Sequence, residues 1–176
     1  MTSDTESAKT AEDWFKDGLA AGRLGDNTRA IECYKKAVEL DPGHFRAYFN
    51  MGIRYGKVPQ NVDAARCFRE ALKLKPDDAM VHYSLAVVSN LIGETDHALH
   101  HYKEALRINP QFAKAHSNLA MLYYSIKLGK ETMHHLLQAE ALFEEQGDDY
   151  MLGTARDLVK ECSREFGLNP ENCRTL

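Results

Sequence analysis

Eight histidines stand in a chain of 176 residues, and HALHHY at 97–102 holds the densest group, with His97 and His101 four residues apart. On a helix that spacing puts both imidazoles on one face, where they can share a metal ion. No carboxylate or cysteine completes a ligand set. Solvated surface histidine is therefore the preferred reading, and a His-based metal protein stands third among the functions weighed. His134 and His135 are adjacent, point to different faces, and are read the same way. The four cysteines, Cys33, Cys67, Cys162 and Cys173, lack CxxC spacing, which argues against a zinc site or a redox dithiol. They read as free thiols of a reducing compartment. The ending CRTL outlines a prenylation box, but Thr175 is a poor aliphatic surrogate and the match is read as chance. GxSxG, P-loop, HExxH and dinucleotide fingerprints are all missing, so no enzyme is expected and no cofactor is implied.

Composition narrows the partners. Hydrophobic residues are 44% and charged residues 27% of the chain, the balance of a globular protein. A formal charge of −4 without a basic run argues against nucleic acid, where phosphate neutralisation needs clustered Lys and Arg. No apolar stretch is long enough to cross a bilayer, and the start, MTSDTESAKTAED, has no basic or apolar leader. Membrane insertion is not expected, and a cytoplasmic location is.

The elements that must position these side chains declare themselves through repetition. CYKKAVELDP at 33–42 returns as CFREALKLKP at 67–76 and HYKEALRINP at 101–110, so Pro42, Pro76 and Pro110 recur with one 34-residue period. At the same period Trp14, Tyr48, His82 and His116 align, as do Gly18, Gly52, Ala86 and Ala120. The series Ala30, Ala64, Ala98 and the series Ala37, Ala71, Ala105, Ala139 complete the frame. His82 and His116, in the Trp14 column, read as packing residues with a satisfied ring nitrogen. Two helices per unit explain the apolar spacing. Tyr48, Met51, Gly52 and Tyr55 mark a first helix, and Ala64, Ala65, Phe68, Ala71 and Leu72 a second. Asn27, Asn61 and Thr95 are suited to cap the second helices, and the prolines stop them. Small residues at the pair contact let the helices approach, with Tyr34, Phe68 or Tyr102 filling the space beside them. Cys33 and Cys67 occupy one point of consecutive repeats, roughly 10 Å apart if stacked, and are expected to be semi-exposed.

These residues resemble the tetratricopeptide repeat, whose 34-residue signature runs large aromatic, Leu-Gly, Tyr, Ala, Phe or Tyr, Ala and Pro. The resemblance implies an all-α fold, a right-handed α-solenoid of antiparallel helix pairs wound as a superhelix. Residues 1–10 are expected to be a flexible arm. Four units follow over 11–147, at 11–44, 45–78, 79–112 and 113–147, with a capping helix at 148–167 and a C-terminal tail at 168–176. The fourth unit departs from the pattern: Thr132, Leu136 and Glu144 stand where Ala, an aromatic and Pro are expected, and Gly129 falls two residues later than Gly25 and Gly93. An unshifted register is preferred, because Met133, Leu136, Ala139 and Leu142 then reproduce the stripe Leu99, Tyr102, Ala105 and Ile108. The irregularity is assigned to the loop.

In this family the first helices line a concave groove, and the resemblance carries that role onto an exposed inner set here. Its members are Phe15, Leu19, Arg23, Arg46, Phe49, Asn50, Ile53, Lys57, Met80, Tyr83, Val87, Asn90, Leu91, Lys114, Asn118, Met121 and Tyr124, an apolar floor with a mainly basic edge. The family's carboxylate clamp for chaperone tails is not expected: Phe15, Leu19, Phe49 and Ile53 occupy clamp sites, and only Asn50 survives as a member. The floor is closer to the small tetratricopeptide chaperones that shield apolar segments of translocator proteins. The expected function is a non-catalytic interaction module, a scaffold or chaperone-like adaptor, whose partner is another protein held by a peptide or apolar segment. A self-assembling homo-oligomeric scaffold is the alternative, and internal filling of the groove by the cap helix is the bland one.

Overall fold

The computed structural model describes residues 9–175, so the arm expected at 1–10 lies, for residues 1–8, outside the described residues. The chain divides into two compact units between Asp77 and Asp78. The first holds α1 (Ala11–Arg23), α2 (Asn27–Leu40), α3 (Phe45–Lys57) and α4 (Asn61–Leu74). The second holds α5 (Ala79–Leu91), α6 (Thr95–Ile108), α7 (Ala113–Ser125), α8 (Gly129–Gln146), α9 (Asp149–Phe166) and a short 3-10 helix, Pro170–Cys173. The described residues contain no strand, and the fold class is the expected one, all-α and built from helix pairs of the α-solenoid kind. Among them no helix is long and apolar enough to cross a membrane.

Small residues in each pair have a measurable reason. A Cβ on Gly18 would lie 2.5 Å from the ring of Tyr34, and one on Gly52 would lie 2.6 Å from the ring of Phe68. Both glycines exist because an aromatic of the partner helix presses on the backbone. In the second unit Ala86 packs in one cluster with Tyr102, and Ala120 in another with Leu136. The alanines at 30, 37, 64, 71, 98, 105 and 139 are completely buried, as their periodicity requires.

The helix ends correct one expectation. Asn27, Asn61 and Thr95 are the first helical residues rather than caps, and Asp26, Gln60 and Glu94 precede them. Asp26 takes the Arg29 N–H at 3.0 Å, whereas Gln60 and Glu94 make no side-chain cap bond. The repeat frame could not separate the two positions, since either column recurs with the same period. What all four turns share is a backbone bond five residues back: Asp26 to Ala21, Gln60 to Tyr55, Glu94 to Ser89 and Leu128 to Tyr123, at 2.8–3.0 Å. Such a bond satisfies a carbonyl that the ending first helix leaves open. Helices α2, α4 and α6 end before Pro42, Pro76 and Pro110, with Asp41, Lys75 and Asn109 outside the helical region as a residue before proline prefers.

The fourth pair keeps the register expected for it. Helix α8 begins at Gly129, one full repeat period after Thr95 opens α6, and Met133, Leu136 and Ala139 are 0–1% exposed. The irregularity is in the turn, where Lys127 takes the left-handed conformation (φ 63°) that Gly25 and Gly93 supply elsewhere. Gly129 is no displaced turn glycine. A Cβ there would lie 2.5 Å from Phe166, so its bareness seats the last helix on α8.

Helix α9 closes the array by packing on α8. Leu152 and Ala155 join Phe143 in one cluster, and Val159 and Cys162 join Leu136 in another. Arg156 adds a fork to Glu140 at 3.1 Å and Glu144 at 2.9 Å. The 3-10 helix folds Cys173 into the same core, leaving it 4% exposed. Cys33 and Cys67 are likewise buried, contrary to the semi-exposed reading, because their column faces into the pair rather than outward; Cys33 lines a shallow recess with Trp14. Burial raises both thiols, Cys67 to about 12, so they stay protonated.

Candidate functional site

In the first unit the inner set rests on α1 and α3. Phe15 is the correction: it was expected on an exposed floor and is 1% exposed. The reason is the turn into α3, which lays the His44 ring 4.8 Å from it and the Arg46 guanidinium 4.4 Å above it. Phe15 thus supports the face from beneath. Leu19, Phe49, Asn50 and Ile53 are half-buried, while Arg23, Arg46 and Lys57 are exposed. Phe49 leans on Phe68 at 5.9 Å and stacks with Phe45 at 6.3 Å, and Lys75 covers Phe45 at 4.3 Å. The Asn50 amide donates to the Arg46 carbonyl of its own helix at 2.8 Å, so it is engaged within α3 rather than held out as a clamp member. Glu12 sits 3.4 Å from His44 Nε2, and the Ala47 N–H donates to His44 Nδ1 at 3.2 Å, which places the imidazole proton on the nitrogen facing Glu12. The Glu12 side chain is itself 49% exposed, so the first unit keeps an anion as well as cations at its surface.

In the second unit the set rests on α5 and α7. Helix α5, AMVHYSLAVVSNL, carries no charged residue. Met80 is 49%, Leu91 64% and Met121 42% exposed. Asn90 and Lys114 are exposed too, and Tyr83, Val87, Asn118 and Tyr124 are half-buried. Asn118 donates to the Tyr83 hydroxyl at 3.0 Å, tying α7 to α5, while Phe112 packs on Tyr83 at 4.7 Å. Burial raises the Tyr83 phenol, against the opposing pull of the Asn118 bond. The far end of this face is partly filled from within. Tyr124 meets Phe166 of α9 edge-on at 5.5 Å, its hydroxyl donates to Glu161 at 3.4 Å, and Lys127 pairs with Glu165 at 3.0 Å. Internal filling by the cap therefore holds for Tyr124 and the flank of Met121, which line a small recess with Leu158. It does not reach Met80 or Leu91, which stay open.

Phe45 and Phe112 are contributors that sequence reasoning missed. Both fall at the turn into a first helix, where the repeat prescribes no residue type, and the available signal was a large aromatic just after a proline turn. The histidines also sort differently from the metal reading. His97 turns to Glu94 at 3.1 Å, whereas His101 Nδ1 meets His82 Nδ1 at 3.0 Å, so the two do not converge on one ion. Among the described residues no three His, Cys, Asp or Glu side chains gather as a metal set. His116, in the next repeat, faces His135 Nδ1 at 2.9 Å and the Pro110 carbonyl at 3.1 Å, the satisfied core histidine expected of its column.

Comparison with known proteins agrees with this geometry. The family model described as TPR repeat matches residues 22–58 and 91–126. The chain is similar to an uncharacterized protein of Methanocaldococcus jannaschii, with 42% identity over 45 residues, 26% of this chain and 52% of that one. It thus spans about half the length of that curated relative. Among solved structures it is similar to the crystal structure of MamA, with a TM-score of 0.77 and 21% identity over 92% of this chain and 90% of that one. It is also similar to YrrB, described as a TPR protein with an unusual peptide-binding site, with a TM-score of 0.68 and 17% identity over 88% and 87% of the two chains. At these identities the structural likeness concerns the fold alone.

Proposed function

We propose that the chain is a tetratricopeptide-repeat protein, a reading its match to the TPR repeat model supports, and that it is a non-catalytic interaction module that holds a peptide or apolar segment of another protein on the first-helix face of its second unit, as a scaffold or chaperone-like adaptor. The observation that carries this reading is the open apolar row of α5 and α7. Met80, Leu91 and Met121 are large, 42–64% exposed, and borne on helices whose opposite sides are already packed. Exposed methionine supplies adaptable contact area, and the half-buried aromatic rings beside it supply area that costs little side-chain entropy to order. YrrB, described as having a peptide-binding site, lends the reading support at the level of fold. We place the protein in the cytoplasm, with which its four buried free thiols are consistent.

The test is selection of a displayed peptide library on the full chain. Enriched sequences should carry large apolar residues, and the variants Met80→Glu, Leu91→Glu and Met121→Glu should each weaken their capture at least tenfold while the far-ultraviolet helix signal is kept. These exposed positions separate binding from folding better than Phe49 or Tyr83, whose rings also hold neighbouring helices. Undiminished capture by all three variants would move the site elsewhere. Mass that grows with concentration in light scattering would instead make a second copy the occupant.

A further inference from the structure

We infer that His116 and His135 form an acid-labile latch between α7 and α8, closed while both imidazoles are neutral and opened when the pair must take up protons. This concerns the scaffold itself and stands whether or not the first-helix face binds a peptide. Nδ1 of His116 lies 2.9 Å from Nδ1 of His135. So short a contact between ring nitrogens needs one shared proton, with one ring donating and the other accepting. The Pro110 carbonyl decides which, because it can only accept, and it lies 3.1 Å from His116 Nε2. The His116 proton is therefore on Nε2, its Nδ1 is bare, and His135 Nδ1–H donates to it. A proton added to His116 would have to sit on Nδ1, placing two N–H groups head to head and breaking the bond. A proton added to His135 would sit on Nε2 and leave a cation in a half-buried ring.

Among the described residues, the charged and titratable groups that act on the two rings include no anion. Lys103 from α6 and His134 from α8 act on His135, and His134 acts on His116, in each case against protonation. Tyr123 from α7 stacks on His135 at 5.7 Å, and Lys103 stands over that same phenol ring at 6.0 Å. Burial, the largest cause, and these neighbours hold His116 below the ordinary imidazole range and His135 at about 3. The sign follows: the unfolded chain, with imidazoles near 6.5, binds the protons more readily. The stabilisation is complete above about pH 6.5 and drains away as pH falls toward 3. The equivalent pair one repeat earlier, His82 and His101 at 3.0 Å, differs in its setting, since the Glu104 carboxylate interacts with His82 and His100.

The repeat supplies the control. At the same two columns the first unit carries Trp14 with Cys33 and Tyr48 with Cys67, so no imidazole stands there. Amide hydrogen exchange on the full chain, corrected for intrinsic rate, should show α7 and α8 opening roughly thirtyfold more at pH 5.0 than at pH 7.5, the factor expected for one imidazole held near 3 when folded and near 6.5 when unfolded. The double variant His116→Tyr, His135→Cys, which transplants the first unit's solution, should flatten that response. An unchanged opening in the natural chain, or the same rise in the double variant, overturns the latch. Imidazole nitrogen spectra of the unaltered protein test it without any variant. At pH 5 the folded chain should keep His135 neutral and His116 as the Nε2–H form, and either ring titrating near 6.5 with α7 and α8 still protected overturns the proposal.

Discussion

Residues 9–77 and residues 78–175 are built on one 34-residue frame and fill it with different chemistry. In the first unit glycine meets an aromatic ring, Gly18 under Tyr34 and Gly52 under Phe68. In the second, alanine takes the glycine's place beside Tyr102 and Leu136. The two columns that hold Trp14 and Tyr48 and, 19 residues on, Cys33 and Cys67 become paired imidazoles. The first helices differ as well. Arg23, Arg46 and Lys57 edge α1 and α3, whereas α5 is uncharged and opens Met80 and Leu91 to solvent. The contacts that join a pair set the volume of a site, and several side-chain combinations meet that volume, so titratable or apolar groups can be exchanged without altering the frame.

Emptying the pair contact should break the comparison most severely. Phe68→Ala in the first unit is expected to lose about 3–5 kcal/mol and Leu136→Ala in the second about 2–5 kcal/mol by urea denaturation, since both side chains are at most 2% exposed. Equal and small losses would mean that neither contact holds its pair. Overfilling comes next. Ala71→Leu should cost about 1–3 kcal/mol by strain in a fully buried site. Gly52→Ala should cost a similar amount although glycine-to-alanine in a helix ordinarily gains about 1 kcal/mol, because its new Cβ would meet Phe68 at 2.6 Å. Ala86→Gly should also destabilise, by about 1 kcal/mol, so the two exchanges are unfavourable in opposite directions. A stabilised Gly52→Ala would show that the Phe68 ring shifts freely.

Helix starts sharpen the comparison at smaller scale. Asp26→Ala should cost about 1 kcal/mol, because its carboxylate caps α2. Gln60→Ala and Glu94→Ala should change a thermal melt little, as α4 and α6 take no side-chain cap. The smallest effect is expected at the exposed pair of Arg66 and Asp63, 2.6 Å apart, where Arg66→Ala should cost only a few tenths of a kcal/mol and less in high salt.

Much of this architecture was legible before any coordinates. The periodic recurrence of alanine, aromatic and proline placed the helix pairs, and the stripe through Met133, Leu136 and Ala139 kept the fourth pair in register despite Gly129. Three features were not legible, for separate reasons. Phe15 shares its column with half-exposed Phe49 and Tyr83, but only the turn carrying His44 and Arg46 covers it. Asn27 and Asp26 recur with the same period, so spacing alone could not say which one caps. His101 and His135 belong to a column that begins with cysteine, and no sequence pattern pairs them with the first-helix column 19 residues earlier.

By itself the sequence determined the repeat, its helix pairs and the residues that press them together, because each turn of the repeat poses the same steric problem and leaves one periodic answer. The tertiary structure decided which of the remaining side chains face solvent and which face each other. Those outcomes depend on turns and neighbouring helices that carry no period of their own: the cover over Phe15, the Phe166 ring of α9 against Tyr124, and the 2.9 Å contact between His116 and His135.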